Sequence, residues 1–165
     1  MTLTLPTLYP AGYAGDKTDF QKCKMDRSGA ARIQRFKVSI PSGTASSTLV
    51  GLIPFNKGME LSILGSYVAA NTALDTGSTI TIDVGYTYYD STLGTSNAVA
   101  FASAVTTWQS SALTALTLIN GPETVGQFKA AADGWVTLTV HTGPTTTTGD
   151  VFGQFLISYD QSLGQ

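Results

Sequence analysis

The chain consists largely of short segments in which apolar and polar positions alternate. The strongest alternation runs over residues 80–88, and because successive side chains of a strand point to opposite faces, it predicts a strand with one buried face. Its apolar positions are Ile80, Ile82, Val84, Tyr86 and Tyr88. Similar or mostly apolar segments occupy residues 36–40, 48–53, 59–63, 113–119, 125–131, 136–140 and 152–159.

Turn residues separate these segments at regular intervals. Asn56-Lys57-Gly58 predicts a turn, Asp133-Gly134 predicts a hairpin turn, and residues 143–149 form a polar loop. About eight short strands with this spacing predict an all-β protein, an antiparallel, jelly-roll-like β-sandwich.

One segment has helical character. Ala98–Val105 is rich in alanine and follows Asn97, a residue that caps helices well. We therefore expect at most one short helix, at this position.

Residues 1–31 show neither helical nor strand periodicity and carry scattered prolines and glycines. We expect an extended N-terminal arm over residues 1–31 and a sandwich domain over residues 32–165. An arm without structure of its own needs contacts to hold it, and we expect these on neighbouring chains. The predicted partner-binding residues combine aromatic and basic side chains: Tyr9, Tyr13, Phe20, Lys22, Lys24 and Arg27.

Composition changes this picture in one respect, the placement of charge. Only 12% of the 165 residues are charged, while 25 Thr, 15 Ser and 17 Gly favour strands and turns. Eight of the nine cations lie in residues 1–60 with four acids, and seven acids lie in residues 61–165. The basic end is suited to an acidic partner or to the acidic part of a sister copy. A sequence pI of about 5.1 argues against nucleic-acid binding.

Targeting and cross-linking signals are absent from the sequence. The single cysteine, Cys23, excludes an internal disulfide. No apolar run is long enough for a membrane helix, and the N-terminal residues lack the features of a signal peptide. We expect synthesis in a cytoplasm and no membrane contact.

The sequence holds no recognisable catalytic set, so we expect no enzyme, no metal and no cofactor. His141 is the only histidine, which leaves too few nitrogen and sulfur ligands for a zinc site, and phosphate-binding glycine loops are missing. We interpret His141 as a structural residue or a residue at the sheet rim.

Asp75-Thr76-Gly77 carries the signature of aspartic proteases, in which two aspartates share a proton across a symmetric site. A homodimeric protease is therefore one alternative. Asp-Thr-Gly is also ordinary turn chemistry, and the apolar-apolar-Gly element of that family precedes the motif here, as Ile63-Leu64-Gly65. The turn interpretation is the stronger one.

Three segments carry a resemblance to a known family: Val50–Gly58, Leu74–Gly77 and Thr79–Tyr86. Together they resemble the small virion structural proteins of tailed bacteriophages. The resemblance implies a decoration (cement) protein on the outer surface of the virion capsid, with the major capsid protein as partner. We expect a homo-oligomer, a trimer rather than a dimer, that stabilises the assembled shell through arm and loop contacts.

A second alternative is a receptor- or carbohydrate-binding module of a phage tail or fibre, since jelly rolls also serve lectins. Its sugar site would be lined by aromatic side chains, namely Tyr86, Tyr88, Tyr89 and Trp108.

Overall fold

The computed structural model describes residues 32–77, 79–106, 113–115 and 127–159, in which all regular structure is β-strand. Because these residues form no helix, none of them forms one that would cross a membrane. The strands are β1 (Arg32–Ile40), β2 (Leu49–Phe55), β3 (Met59–Ala70), β4 (Thr81–Tyr88), β5 (Asn97–Val105), β6 (Leu113–Ala115), β7 (Gln127–Lys129), β8 (Gly134–Thr142) and β9 (Gly149–Tyr159).

The strands form two antiparallel sheets. Sheet I has the order β2-β8-β4-β5, and sheet II has the order β1-β9-β3, with β6 and β7 both paired to β3. If β6 and β7 are counted as one interrupted strand, the chain changes sheet at every connection except β4–β5, which is a jelly-roll-like order. The predicted all-β sandwich is confirmed.

The core lies between the two sheets and is built by the alternation that the sequence shows. Phe36 of β1 and Phe155 of β9 are buried and stack with their ring centroids 5.5 Å apart. A second aromatic cluster lies around Phe128, whose ring centroid is 4.4 Å from that of Tyr86 and 5.8 Å from that of Phe55. One face of each sheet is thereby closed against the other.

The predicted helix at Ala98–Val105 is wrong, because these residues lie in strand β5, which pairs with β4. The alanine-rich composition favours a helix by only tenths of a kcal/mol per residue. In the strand Phe101 is completely buried, which contributes about 2 kcal/mol. Asn97 keeps its local role without a helix, since its Oδ1 accepts a hydrogen bond from the N–H of Val99 at 3.1 Å.

The predicted hairpin at Asp133-Gly134 is also wrong. Strand β7 precedes this turn in sheet II and β8 follows it in sheet I, so the turn carries the chain between sheets. A side chain at Gly134 would place its Cβ 2.3 Å from the carbonyl oxygen of Thr87 on β4. The glycine therefore allows a close approach of strands rather than a hairpin turn.

Replacing Phe155 by alanine tests the core. We expect Phe155→Ala to lower the free energy of unfolding by about 3–5 kcal/mol, because it leaves a cavity beside Phe36. Phe152→Ala is the control on the same strand, since Phe152 is 37% exposed, and it should cost about 1–2 kcal/mol. Denaturant unfolding measures both, and equal losses would contradict this description of the core.

Candidate functional site

Asp75 lies in the connection between β3 and β4 and is 1% exposed. Its carboxylate accepts five hydrogen bonds, three of them from backbone N–H groups. Oδ1 accepts from the N–H of Gly77 at 2.8 Å and from the hydroxyl of Thr146 at 2.9 Å. Oδ2 accepts from the N–H and the hydroxyl of Thr79 and from the N–H of Ile80, at 2.7, 2.8 and 3.1 Å. The carboxylate thus ties its own turn to the threonine-rich loop before β9.

These hydrogen bonds decide between the two interpretations of Asp75-Thr76-Gly77. Donors from the backbone of Thr79 and Gly77, followed by the hydroxyls of Thr79 and Thr146, hold the pKa of Asp75 well below its usual range. A protease aspartate needs an accessible oxygen to share a proton and to activate water. Asp75 is buried with both oxygens engaged by its own loops, so the geometry supports the turn interpretation.

The single histidine pairs with a second buried carboxylate. Nδ1–H of His141, at the end of β8, donates to Oδ2 of Asp83 on β4 at 2.6 Å. Oδ1 of Asp83 accepts from the N–H of Ala104 on β5 at 2.7 Å. The Asp83 side chain is 4% exposed and that of His141 is 49% exposed, so His141 lies at the rim of sheet I. The pair fastens three adjacent strands of this sheet.

The three described tyrosines of the predicted sugar site do not form one surface. Tyr86 and Tyr88 pack in the core against Phe128 and Phe55, and burial raises the pKa of both hydroxyls. Tyr89 instead accepts a hydrogen bond from the indole N–H of Trp135. The predicted grouping is therefore not observed among them, and Trp108 lies outside the described residues.

The predicted partner-binding residues also lie outside the described residues, and the assignment stays a prediction. They are Tyr9, Tyr13, Phe20, Lys22, Lys24 and Arg27. Cys23 lies in the same part of the chain.

A surface that the sequence analysis missed lies on the outer side of sheet II. We call it the β9 face, defined by the outward side chains of β1 and β9 together with the bulge at Leu64. Ile33 is 56% exposed, Phe152 is 37% exposed and Leu64 is 79% exposed. Within the described part of the chain, these are three of the four exposed large apolar side chains. The complete face comprises Ile33, Arg35, Lys37, Ser39, Leu64, Asp150, Phe152, Gln154, Leu156 and Ser158.

The β9 face also carries two exposed cations of β1, Arg35 and Lys37. Lys37 pairs with Asp150 at 2.8 Å, and this contact with the Lys37 ammonium lowers the pKa of the Asp150 carboxyl. Arg35 is exposed and has no carboxylate partner among the residues that the structure describes. The face is therefore partly apolar and carries one more cation than acid, since Asp150 offsets one of the two positive charges.

Sheet I presents a different outer side. Thr137 is completely buried, Trp135 is 5% exposed and Asp83 is 3% exposed, although alternation along the strands directs all three away from the core. Above Gly85 the backbone of Asn97 comes so close that an added Cβ would lie 2.1 Å from its carbonyl oxygen. The outward side chains of sheet I are therefore buried at these positions, whereas those of β1 and β9 in sheet II are exposed or half-buried.

Sequence reasoning missed the β9 face because its apolar residues do not stand out. Phe152 and Leu156 are apolar residues at outer positions of β9, where they interrupt the polar pattern of Asp150, Gln154 and Ser158. Only the pairing of β9 with β1 and β3 shows that Gly153 and Phe155 point inward and their neighbours outward.

No metal site emerges from the described residues, in which no three His, Cys, Asp or Glu side chains are grouped. The carboxylates of Asp75 and Asp83 instead accept hydrogen bonds that connect neighbouring loops and strands.

The fold is similar to that of chains in two solved phage capsid structures. One match is a chain of the capsid asymmetric unit of cyanophage Pam1, with a TM-score of 0.58 and 16% identity, covering 89% of this chain and 99% of that one. Another is a chain of the capsid of Ralstonia phage GP4, with a TM-score of 0.57 and 20% identity, covering 80% of this chain and 87% of that one. At these identities the comparisons establish a shared fold.

Comparisons at the level of sequence give no relative. No protein-family model matches the chain, and no curated protein matches it.

Asp75→Asn should lower the melting temperature at neutral pH, by more than about 4 °C, because an amide cannot accept the same five hydrogen bonds. The pKa of Asp75 is lower in the folded than in the unfolded protein, so its stabilising effect is complete above the unfolded value of about 3.9 and is lost as the pH falls through the folded value. Thermal unfolding at about pH 7 and pH 2.5 should therefore show a smaller difference between variant and wild type in acid.

The control for this variant is Asp90→Asn, on an exposed turn where the carboxylate accepts from the N–H and the hydroxyl of Thr92. We expect a change of less than about 2 °C. Equal effects of the two variants, or a difference at Asp75 that grows in acid, would refute the role given to Asp75.

His141→Ala should lower the free energy of unfolding by about 1–3 kcal/mol, because it removes a hydrogen bond to the buried carboxylate of Asp83. The double variant with Asp83→Ala should cost less than the sum of the two single variants, since the second change removes the group left unpaired. Additive losses in denaturant unfolding would show that the two side chains do not interact.

Proposed function

We propose that this chain is a structural protein of a phage virion, a decoration (cement) protein that binds the outer surface of the assembled shell and stabilises it. The observation that carries the proposal is the fold match to two phage capsid chains over 99% and 87% of their lengths. The resemblance of Val50–Gly58 and Thr79–Tyr86 to small virion structural proteins supports the same assignment.

The proposed activity needs no catalytic group. A protein that binds only the assembled shell shifts the assembly equilibrium by mass action, to an extent set by its concentration and affinity. A homo-oligomer, for which we favour a trimer, gains further because each additional contact forms at high effective concentration. A role without catalysis accords with the carboxylates of Asp75 and Asp83, which accept hydrogen bonds within the fold.

The partner we propose is the major capsid protein, and the contacts we propose include the arm of residues 1–31. The arm holds four cations, among them Lys22, Lys24 and Arg27, and the aromatic residues Tyr9, Tyr13 and Phe20. Basic side chains steer a protein towards an acidic surface, and aromatic side chains contribute most per residue once buried at an interface.

The test adds the purified full-length protein to shells assembled from the major capsid protein alone. We expect saturable co-sedimentation and a higher temperature of shell disruption with bound protein. A variant with Lys22→Glu, Lys24→Glu and Arg27→Glu should bind at least about tenfold more weakly, since like charges then face the acidic partner.

The matched control is Lys57→Glu, which reverses an exposed charge on the sandwich at the turn between β2 and β3. It should bind within about twofold of wild type, because an exposed charge outside the interface contributes little to binding. No binding of the wild-type protein to shells would reject the decoration role, and unchanged binding of the triple variant would reject the arm contacts.

A further inference from the structure

We propose that the β9 face is the surface through which the sandwich itself docks, and that its occupant is an acidic patch with exposed apolar side chains on another protein. The inference rests on the proposed function, under which that protein is the major capsid protein. It adds a contact on the sandwich domain to the contacts proposed for the arm.

The apolar part of the argument comes from exposure. Ile33, Leu64 and Phe152 project from the outer side of one sheet, where alternation in an antiparallel sheet with a solvated face favours polar residues. Ile33 lies opposite Leu156 and Phe152 lies opposite Lys37, so apolar side chains recur along this one face. Several apolar side chains on one surface mark an interaction site, whereas single ones are ordinary. The fourth exposed apolar side chain in the described ranges, Leu93, is a single one, in the loop between β4 and β5.

The shape of the face is set by a bulge. The register of β3 with β9 shifts between Ser62 and Tyr67, and Gly65 in this bulge has φ of +87°. The carbonyl oxygen of Gly65 accepts a hydrogen bond from Nε2 of Gln154, an outward side chain of β9, at 3.2 Å. This contact holds the bulge over the outer side of β9 and presents Leu64 there.

The charge on the face selects the chemistry of the occupant. Arg35 projects beside the apolar side chains without an ion-pair partner among the described residues, and Lys37 is 68% exposed even in its pair with Asp150. The protein as a whole has a net charge of −2, so this basic surface is a local feature. Carboxylates on the partner complement it and exclude basic surfaces.

The same charge argues against a second copy as the occupant. A two-fold contact through the β9 face would place this patch against itself and bring Arg35 and Lys37 towards the same cations of the other copy. Like charges across such a contact are destabilising.

The edge of the sheet adds a further constraint. Strand β1 pairs on one side with β9 and on the other side with no described strand, and its outward residues include Arg35 and Lys37. Charged residues on an edge strand oppose pairing with a foreign strand. The partner therefore contacts the face of the sheet rather than extending it. Residues 1–31 directly precede β1 in the sequence, and we propose the same partner for the arm and the face.

The experiment compares full-length variants for binding to shells assembled from the major capsid protein alone. The face variants are Arg35→Glu and the pair Ile33→Ser with Phe152→Ser. Their matched controls are Lys57→Glu, an exposed charge elsewhere, and Leu93→Ser, which is 64% exposed. Thermal unfolding is recorded for each, and Arg35→Glu serves alone should the paired serine variant fail to fold.

We expect both face variants to bind at least about tenfold more weakly and both controls to bind within about twofold of wild type. Raising the ionic strength should weaken binding of the wild type more than binding of Arg35→Glu. Salt screens the attraction between Arg35 and acidic groups of the partner, and the variant lacks this attraction.

If the face variants bind shells as tightly as the wild type, the proposal that the β9 face is a docking surface is overturned and the decoration role is left intact. Face variants that lose self-association in sedimentation velocity while binding shells normally would assign the face to a second copy and overturn the proposal. Absence of wild-type binding would reject the decoration role and, with it, this inference.

Discussion

The structure depends on the burial of one face of each sheet against the other. Strand β9 is central to this constraint, because it pairs with β1 on one side and β3 on the other and places Phe155 against Phe36 in the core. Since side chains alternate along a strand, the inward direction of Phe155 fixes the outward direction of its neighbours. The apolar outer surface of sheet II follows from the same register that builds the core.

The two outer faces of the sandwich have different environments. Sheet I buries polar residues on its outer side and fastens its strands through Asp83, which connects β4, β5 and β8. Sheet II leaves apolar and basic side chains in solvent.

The buried carboxylates serve the architecture. Asp75 joins its own turn to Thr146 in the loop before β9, so the loops at this end of the sandwich are held together by charge-assisted hydrogen bonds. The threonine-rich composition, unusual as a sequence feature, gains a physical meaning here. Threonine hydroxyls connect neighbouring loops: that of Thr146 accepts from the N–H of Thr76, and that of Thr145 donates to the carbonyl oxygen of Pro41.

The sequence by itself determined the fold class and most of the strands, because alternation such as that of residues 80–88 reports burial on one face directly. It also indicated that Asp75-Thr76-Gly77 is a turn. Only the tertiary structure decided that Asn97–Val105 is a strand, that Asp133-Gly134 joins two sheets, and that Ile33 and Phe152 point outward. These outcomes depend on which distant strand lies alongside. Pairing and burial against that strand exceed the local preferences that a sequence displays.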